Sequence, residues 1–158
     1  MDLRTTRTIR SAIEIRAPIE IVWDVLTDFD SYGEWNPHIR RMRGRLAQGQ
    51  RIAIYSRPPG GRTIVMRPTV TRWDPPNELR WHATFLGGRL FSGEHGFRLD
   101  ATAPDRVRFV QDETFSGLLV PLYSRLRLPR TRAGFELVNQ ALRERAETVA
   151  QEQHSQTE

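Results

Sequence analysis

The 158-residue chain predicts an α+β fold, a curved antiparallel sheet laid against one long C-terminal helix. Three observations predict it. Apolar residues alternate along residues 8–16, a period of two then runs through residues 39–115, and apolar residues at spacings of 3 and 4 take over from Leu119 to Val149.

In residues 8–16, Ile9, Ser11, Ile13 and Ile15 share one face against polar neighbours, Ala12 excepted, which reads as a half-buried first strand. Pro18 suits the first turn of a helix, where its missing N–H leaves no helical bond unmade. Ile19, Val22, Trp23 and Leu26 follow at helical spacing before Asp28. A second short helical piece is expected over residues 29–35, because Pro37 disfavours its continuation. Strands are then expected at 39–46, 50–57, 62–73, 77–86, 90–101 and 106–115. The breaks between them are Ala47-Gln48-Gly49, Pro58-Pro59-Gly60-Gly61, Asp74-Pro75-Pro76, Gly87-Gly88 and Thr102-Ala103-Pro104-Asp105, each carrying the Gly, Pro or Asp that turn dihedrals need. With the first strand they make a seven-stranded antiparallel sheet.

The last third is helical. Leu119, Leu122 and Leu126, then Phe135, Val138, Leu142, Ala146 and Val149, form one apolar stripe opposite Arg, Glu and Gln, interrupted near Pro129. Residues 151–158 carry no apolar side chain and are expected to be a disordered polar tail, leaving a single domain over residues 7–150.

Composition narrows the function classes. The net charge is +5, and all 24 basic residues are arginine, spread along the chain. The densest group, Arg40, Arg41, Arg43 and Arg45, has Arg41, Arg43 and Arg45 on one strand face opposite Met42 and Leu46, where exposed charge discourages edge-to-edge aggregation. No aromatic residue interleaves with that row, so nucleic-acid binding is not expected. Without cysteine there is no thiolate nucleophile and no disulfide, and without a long apolar run there is no stable membrane insertion, so a cytoplasmic protein is expected.

The order of elements, with Ala17-Pro18 then Val22-Trp23, Tyr32-Gly33-Glu34-Trp35-Asn36-Pro37, Glu78-Leu79-Arg80-Trp81, Gly93-Glu94-His95 and Glu113-Thr114-Phe115-Ser116-Gly117, resembles a known superfamily. It is that of the SRPBCC proteins, START-like or Bet v 1-like chains of helix-grip fold, and within it the bacterial polyketide cyclase/dehydrase and lipid-transport-like members. The resemblance spans residues 9–149. It implies a cavity between sheet and helix that takes a small hydrophobic or amphipathic ligand. Because such proteins share the cavity without sharing one catalytic set, it implies no catalytic residue.

The residues themselves point to the site. In residues 90–99, LFSGEHGFRL, alternation puts His95 on the apolar face with Phe91, Gly93, Phe97 and Leu99. Val107, Phe109, Gln111, Glu113 and Phe115 share a face of the next strand, and folding the hairpin brings the two faces together. One register sets His95 opposite Glu113; another sets it opposite Gln111 and diagonal to Glu113. The first also sets Phe115 opposite Gly93 and Phe91 opposite Gly117, and it is the one expected. The expected cavity lining is Trp35, Trp81, Phe85, His95, Phe97, Phe109, Gln111, Glu113, Phe135 and Asn139.

A Glu in an apolar cavity needs a partner or water, and His95 offers one. The pair has two readings: general acid/base catalysis, or a polar cavity floor. No G-x-S-x-G elbow or P-loop is present, and His38, His82, His95 and His154 lack zinc-ligand spacing, so neither metal nor cofactor is expected. The leading expectation is binding or carriage of a small hydrophobic or amphipathic molecule. The alternatives are a cyclase or dehydratase using His95 and Glu113, and a partner-binding module using the arginine-rich surface.

Overall fold

The computed structural model describes residues 5–57 and 61–157. The first three residues of the expected turn at Pro58-Pro59-Gly60-Gly61 lie outside them. In chain order the elements are β1 (Thr5–Ile15), α1 (Ile19–Thr27), a 3-10 turn (Phe29–Ser31), α2 (Tyr32–Trp35), β2 (Ile39–Arg43), β3 (Ala53–Ser56), β4 (Ile64–Met66), β5 (Thr69–Asp74), β6 (Glu78–Phe85), β7 (Phe91–Ala103), β8 (Arg106–Gly117), α3 (Val120–Leu126) and α4 (Leu128–Ser155). This is the α+β helix-grip arrangement.

The expected single sheet divides in two. A five-stranded sheet runs β1-β8-β7-β6-β5, and a three-stranded sheet runs β2-β3-β4, so the described residues hold eight strands where seven were expected. The extra one comes from splitting residues 62–73 around Arg67 and Pro68. Proline has no N–H to give a ladder. The Pro68 carbonyl instead accepts from Ile52 N at 3.0 Å, and Val70 N donates to Gln50 O at 2.8 Å, stitching the two sheets together at the corner.

Local chemistry sets the helix ends near the N-terminus. Val22, Trp23, Val25 and Leu26 of α1 are buried, and the buried Tyr32 hydroxyl donates to the Leu26 carbonyl at 2.6 Å, locking α2 against the end of α1. Asn36 Oδ1 accepts from the backbone N–H groups of His38 and Ile39, so Asn36 turns the chain from α2 into β2 just where Pro37 forbids more helix.

The main core joins Leu79, Trp81, Phe97, Leu99 and Phe109 of the sheet to Val22 and Leu26 of α1 and to Leu142 and Ala146 of α4. A smaller cluster of Ile9, Phe115, Val120 and Phe135 is flanked by Phe91, Tyr123 and Leu128.

The C-terminal third departs from expectation twice. The helix does break before Pro129, which takes a place in the first turn of α4, but α3 does not bury the expected stripe. Val120 and Tyr123 turn inwards, and Leu119, Leu122 and Leu126, expected on the buried stripe, are exposed. Residues 151–155, expected to be disordered, continue α4. That stretch contains no Gly or Pro to stop the helix, and its Gln and Glu side chains are good helix formers.

Candidate functional site

β7 and β8 pair in the expected register, with His95 opposite Glu113, Phe97 opposite Gln111 and Gly93 opposite Phe115. Gly93 gives the carboxyl its place: a Cβ there would press to 3.1 Å from Glu113 Oε1, which would have to shift, and would lie against the Phe115 ring. The pairing thus leaves room for a carboxyl on the inner face.

A chain of hydrogen bonds runs from this pair across the interior. Gln111 Nε2 donates to Asn139 Oδ1 at 2.8 Å, and Asn139 Nδ2 donates to Ser11 Oγ at 2.9 Å. Gln111 therefore turns its Oε1 to His95 Nε2, 2.9 Å away, which makes Nε2 the protonated ring nitrogen. Nδ1 keeps its lone pair and faces Glu113 Oε2 at 3.7 Å, beyond direct hydrogen-bond range. The chain ties β7, β8, α4 and β1 through groups that would otherwise be buried unpaired.

Electrostatics makes the pair neutral. Burial, with a smaller contribution from the neighbouring Asp112 charge, pushes the Glu113 carboxyl up to about 7. Burial pulls the His95 imidazole down to about 4, against a smaller opposing effect of the Gln111 bond. Between those values both groups are uncharged, so proximity here is not an ion pair. Their side chains remain 16% and 19% exposed, so solvent reaches both.

Aromatic rings frame the two groups. His95 lies with ring centroids 5.4 Å from Trp81, 4.6 Å from Phe97 and 5.0 Å from Phe135. On the Glu113 side Phe91 stacks on Phe115 at 5.7 Å, and Tyr123 lies 5.0 Å from Phe91 and 4.6 Å from Phe115. The Tyr123 hydroxyl is paired with Thr131 Oγ1 at 2.7 Å, and burial, helped by the nearby Glu113, raises its pKa.

Of the expected cavity residues, the structure gathers His95, Gln111, Glu113, Phe135 and Asn139 around this chain, with Trp81 and Phe97 against the imidazole. Phe109 is fully buried beneath Phe97, and Phe85 sits at the end of β6 beside Phe91. At the level of Trp81, Phe97 and Phe109 the sheet interior is filled by packed rings. Trp35 stands apart. It borders a surface cavity of about 210 Å³ shared with Arg145 and Val149. A larger cavity of about 510 Å³ opens between Thr27, the 3-10 turn, Met42 and Trp73, a place the sequence did not suggest.

Ser11 and Tyr123 are the contributors that sequence reasoning left out; Phe91 and Gly93 were placed on the His95 face but not in the expected lining. For Ser11 a signal existed, since it is the one polar residue in the row Ile9, Ser11, Ile13, Ile15. Tyr123 had none, because its orientation depends on how α3 packs against Phe91 and Phe115 of the sheet.

The outer face of the same strands is unlike the inner one. The Arg80 guanidinium binds Asp112 at 2.6 Å, Glu94 at 3.0 Å and Glu78 at 3.3 Å, and lies over Gly96, where a side chain would collide with it. These carboxylates, Asp112 first, hold the Arg80 pKa above its ordinary value.

The family model described as polyketide cyclase / dehydrase and lipid transport matches residues 6–151. The chain belongs to that family. The family description covers both catalysis and carriage, so membership alone does not choose between them. Comparison with curated proteins finds no match. Among solved structures, the chain is similar to the di-domain aromatase/cyclase BexL of the BE-7585A biosynthetic pathway, with TM-score 0.68, 15% identity and 92% of this chain covered; it spans 50% of that longer chain. It is similar to the ZhuI aromatase/cyclase from Streptomyces sp. R1128, with TM-score 0.65 and 17% identity over 90% of this chain and 94% of that one. A START superfamily protein from Mycobacterium smegmatis matches with TM-score 0.64 and 17% identity, covering 92% of this chain and 97% of that one. At such identities the likeness establishes the shared fold.

Proposed function

We propose that the protein binds or carries a small hydrophobic or amphipathic ligand whose polar end meets Glu113. One observation carries this reading: among the described residues the Glu113 carboxyl takes part in no hydrogen bond, lies 3.7 Å from His95 Nδ1 and stays 19% exposed, while His95 Nε2 is bound to Gln111. His95 is thereby held through Nε2, and the carboxyl, with the Nδ1 lone pair beside it, has spare hydrogen-bonding capacity. Phe91, Phe115 and Tyr123 supply apolar surface for the rest of the molecule. As a neutral acid Glu113 donates to a carbonyl or ether oxygen; ionised, it accepts from a hydroxyl. The family description, which includes lipid transport, supports this reading.

A second reading has its own observation. A carboxyl pushed up to about 7 is matched to proton abstraction near neutral pH, as a cyclase or dehydratase using Glu113 and His95 would need.

The experiment is to identify a ligand by native mass spectrometry of protein from its own host, then measure affinity and conversion for Glu113→Gln and His95→Gln. Carriage predicts that Glu113→Gln changes affinity by about fivefold, the worth of roughly one hydrogen bond, with no conversion by any form. Turnover by the wild type that falls by roughly 100- to 10,000-fold in Glu113→Gln would replace carriage with catalysis.

A further inference from the structure

We propose that the β6–β7 turn and α3 form a surface that docks on anionic phospholipid membranes. Leu86 and Leu90 of the turn, Leu118 just before α3, and Leu122 and Leu126 along it are between 40% and 75% exposed. The two segments are joined: Leu118 N donates to Arg89 O at 3.2 Å and Leu119 N to Leu90 O at 3.1 Å. Gly117, at φ 132°, makes this close approach, because a Cβ there would run into the Leu90 carbonyl. The turn leucines are thus held beside Leu118, from which Leu122 and Leu126 continue at spacings of 4 along α3, while Val120 and Tyr123 anchor α3 from its inner side.

Charge selects the occupant. From Glu113 to Glu136 the sequence has no intervening acid and contains Arg125 of α3, Arg127 at its end, and Arg130 and Arg132 in the first turns of α4, all exposed; Arg89 sits between the leucines of the turn. Leucines beside arginines suit the headgroup layer, with alkyl groups lowered towards the acyl boundary and guanidinium groups at the phosphates. A second copy of the chain docking face to face would set these arginines against one another. No helix among the described residues is long and apolar enough to cross a membrane, so the attachment is peripheral. The surface adjoins Phe91 and Tyr123, the rings beside Glu113, but the inference does not rest on what the protein binds inside.

The test is sedimentation of the full chain with vesicles of phosphatidylcholine and phosphatidylglycerol in equal parts, and with phosphatidylcholine alone, at rising salt. The wild type is expected to bind the mixed vesicles, to bind phosphatidylcholine much less, and to be released by salt. Arg125→Gln with Arg130→Gln should weaken binding about 30-fold, roughly fivefold per arginine. Leu122→Ser with Leu126→Ser should weaken it by at least tenfold, with thermal midpoints near wild type because the side chains are exposed. The proposal is overturned if the wild type ignores anionic vesicles, if both vesicle types bind alike, or if both double variants bind like wild type. Failure to bind vesicles together with a dimer that the leucine variant breaks would assign the surface to a second copy instead.

Discussion

Glu113 and His95 face each other across β7 and β8 with their polar atoms 3.7 Å apart, and burial drives their pKa values in opposite directions. Each shift makes folding depend on pH. For Glu113, raised from 4.5 to about 7, the folded state holds the proton more tightly, so its stability contribution is present below 4.5 and lost as pH rises towards 7. For His95, lowered from 6.5 to about 4, the contribution is present above 6.5 and lost as pH falls towards 4.

Between about pH 4.5 and 6.5 the two slopes therefore oppose each other in the wild type. Single variants should separate them. In His95→Gln stability should fall with rising pH across that window, and in Glu113→Gln it should rise, each by up to about 1.4 kcal/mol per pH unit. Urea titrations at several pH values check this; parallel curves for the two variants would show that the pair is not neutral in the fold.

Asn139 orients the interior chain from α4. Asn139→Leu would strand the Gln111 amide and the Ser11 hydroxyl, and should destabilise by about 2–3 kcal/mol. It should also free Gln111 to rotate, so the His95 ring would lose its preference for the Nε2–H tautomer. Nitrogen-15 spectra of labelled histidine read that directly, and an unchanged tautomer in a folded variant would contradict the ordering role.

On the opposite face, Arg80 is held by Asp112, Glu94 and Glu78 over Gly96. Because three carboxylates pin the guanidinium, it cannot swing aside cheaply, and Gly96→Ala should cost about 1–3 kcal/mol. Arg80→Met should cost about as much or more, since it leaves like charges facing one another without their cation. If Gly96→Ala loses its penalty in the Arg80→Met background, the steric origin is established by a double-mutant cycle.

The break before α4 makes α3 a short helix with large side chains in solvent. Amides of α3 should exchange with solvent much faster than those of residues 135–149, where Phe135, Asn139, Leu142 and Ala146 are buried. Equal protection of the two segments would mean that α3 opens only with the whole fold.

What could be read from the residues follows from how local the deciding physics is. The β7–β8 register was legible because alternation and the Gly93–Phe115 match both select it, and the Asn36–Pro37 exit from α2 because Pro37 disfavours continuing the helix. The division of the sheet at Pro68 was signalled by a single proline inside an apolar run, and the alternation on either side masked it. The outward turn of Leu119, Leu122 and Leu126 had no local signature: the 3 and 4 spacing says that a stripe exists, and only the packing of Val120 and Tyr123 against Phe115 and Phe91 says which way it faces. The positions of the cavities, likewise, depend on how side chains from several elements fill the interior.

The pairing of β1 with β8 joins Thr5 to Gly117 and Ile15 to Val107, so β1 is completed only by the last strand of the described residues. On a ribosome, β5, β6, β7 and β8 can form successive hairpins as each emerges, while β1 waits with both edges unpaired. At a synthesis rate of about 5–20 residues per second that wait lasts several seconds, during which Ile9, Ile13 and Ile15 are open to any other strand. A nascent chain arrested before β8 should therefore need a chaperone or remain collapsed without a native sheet.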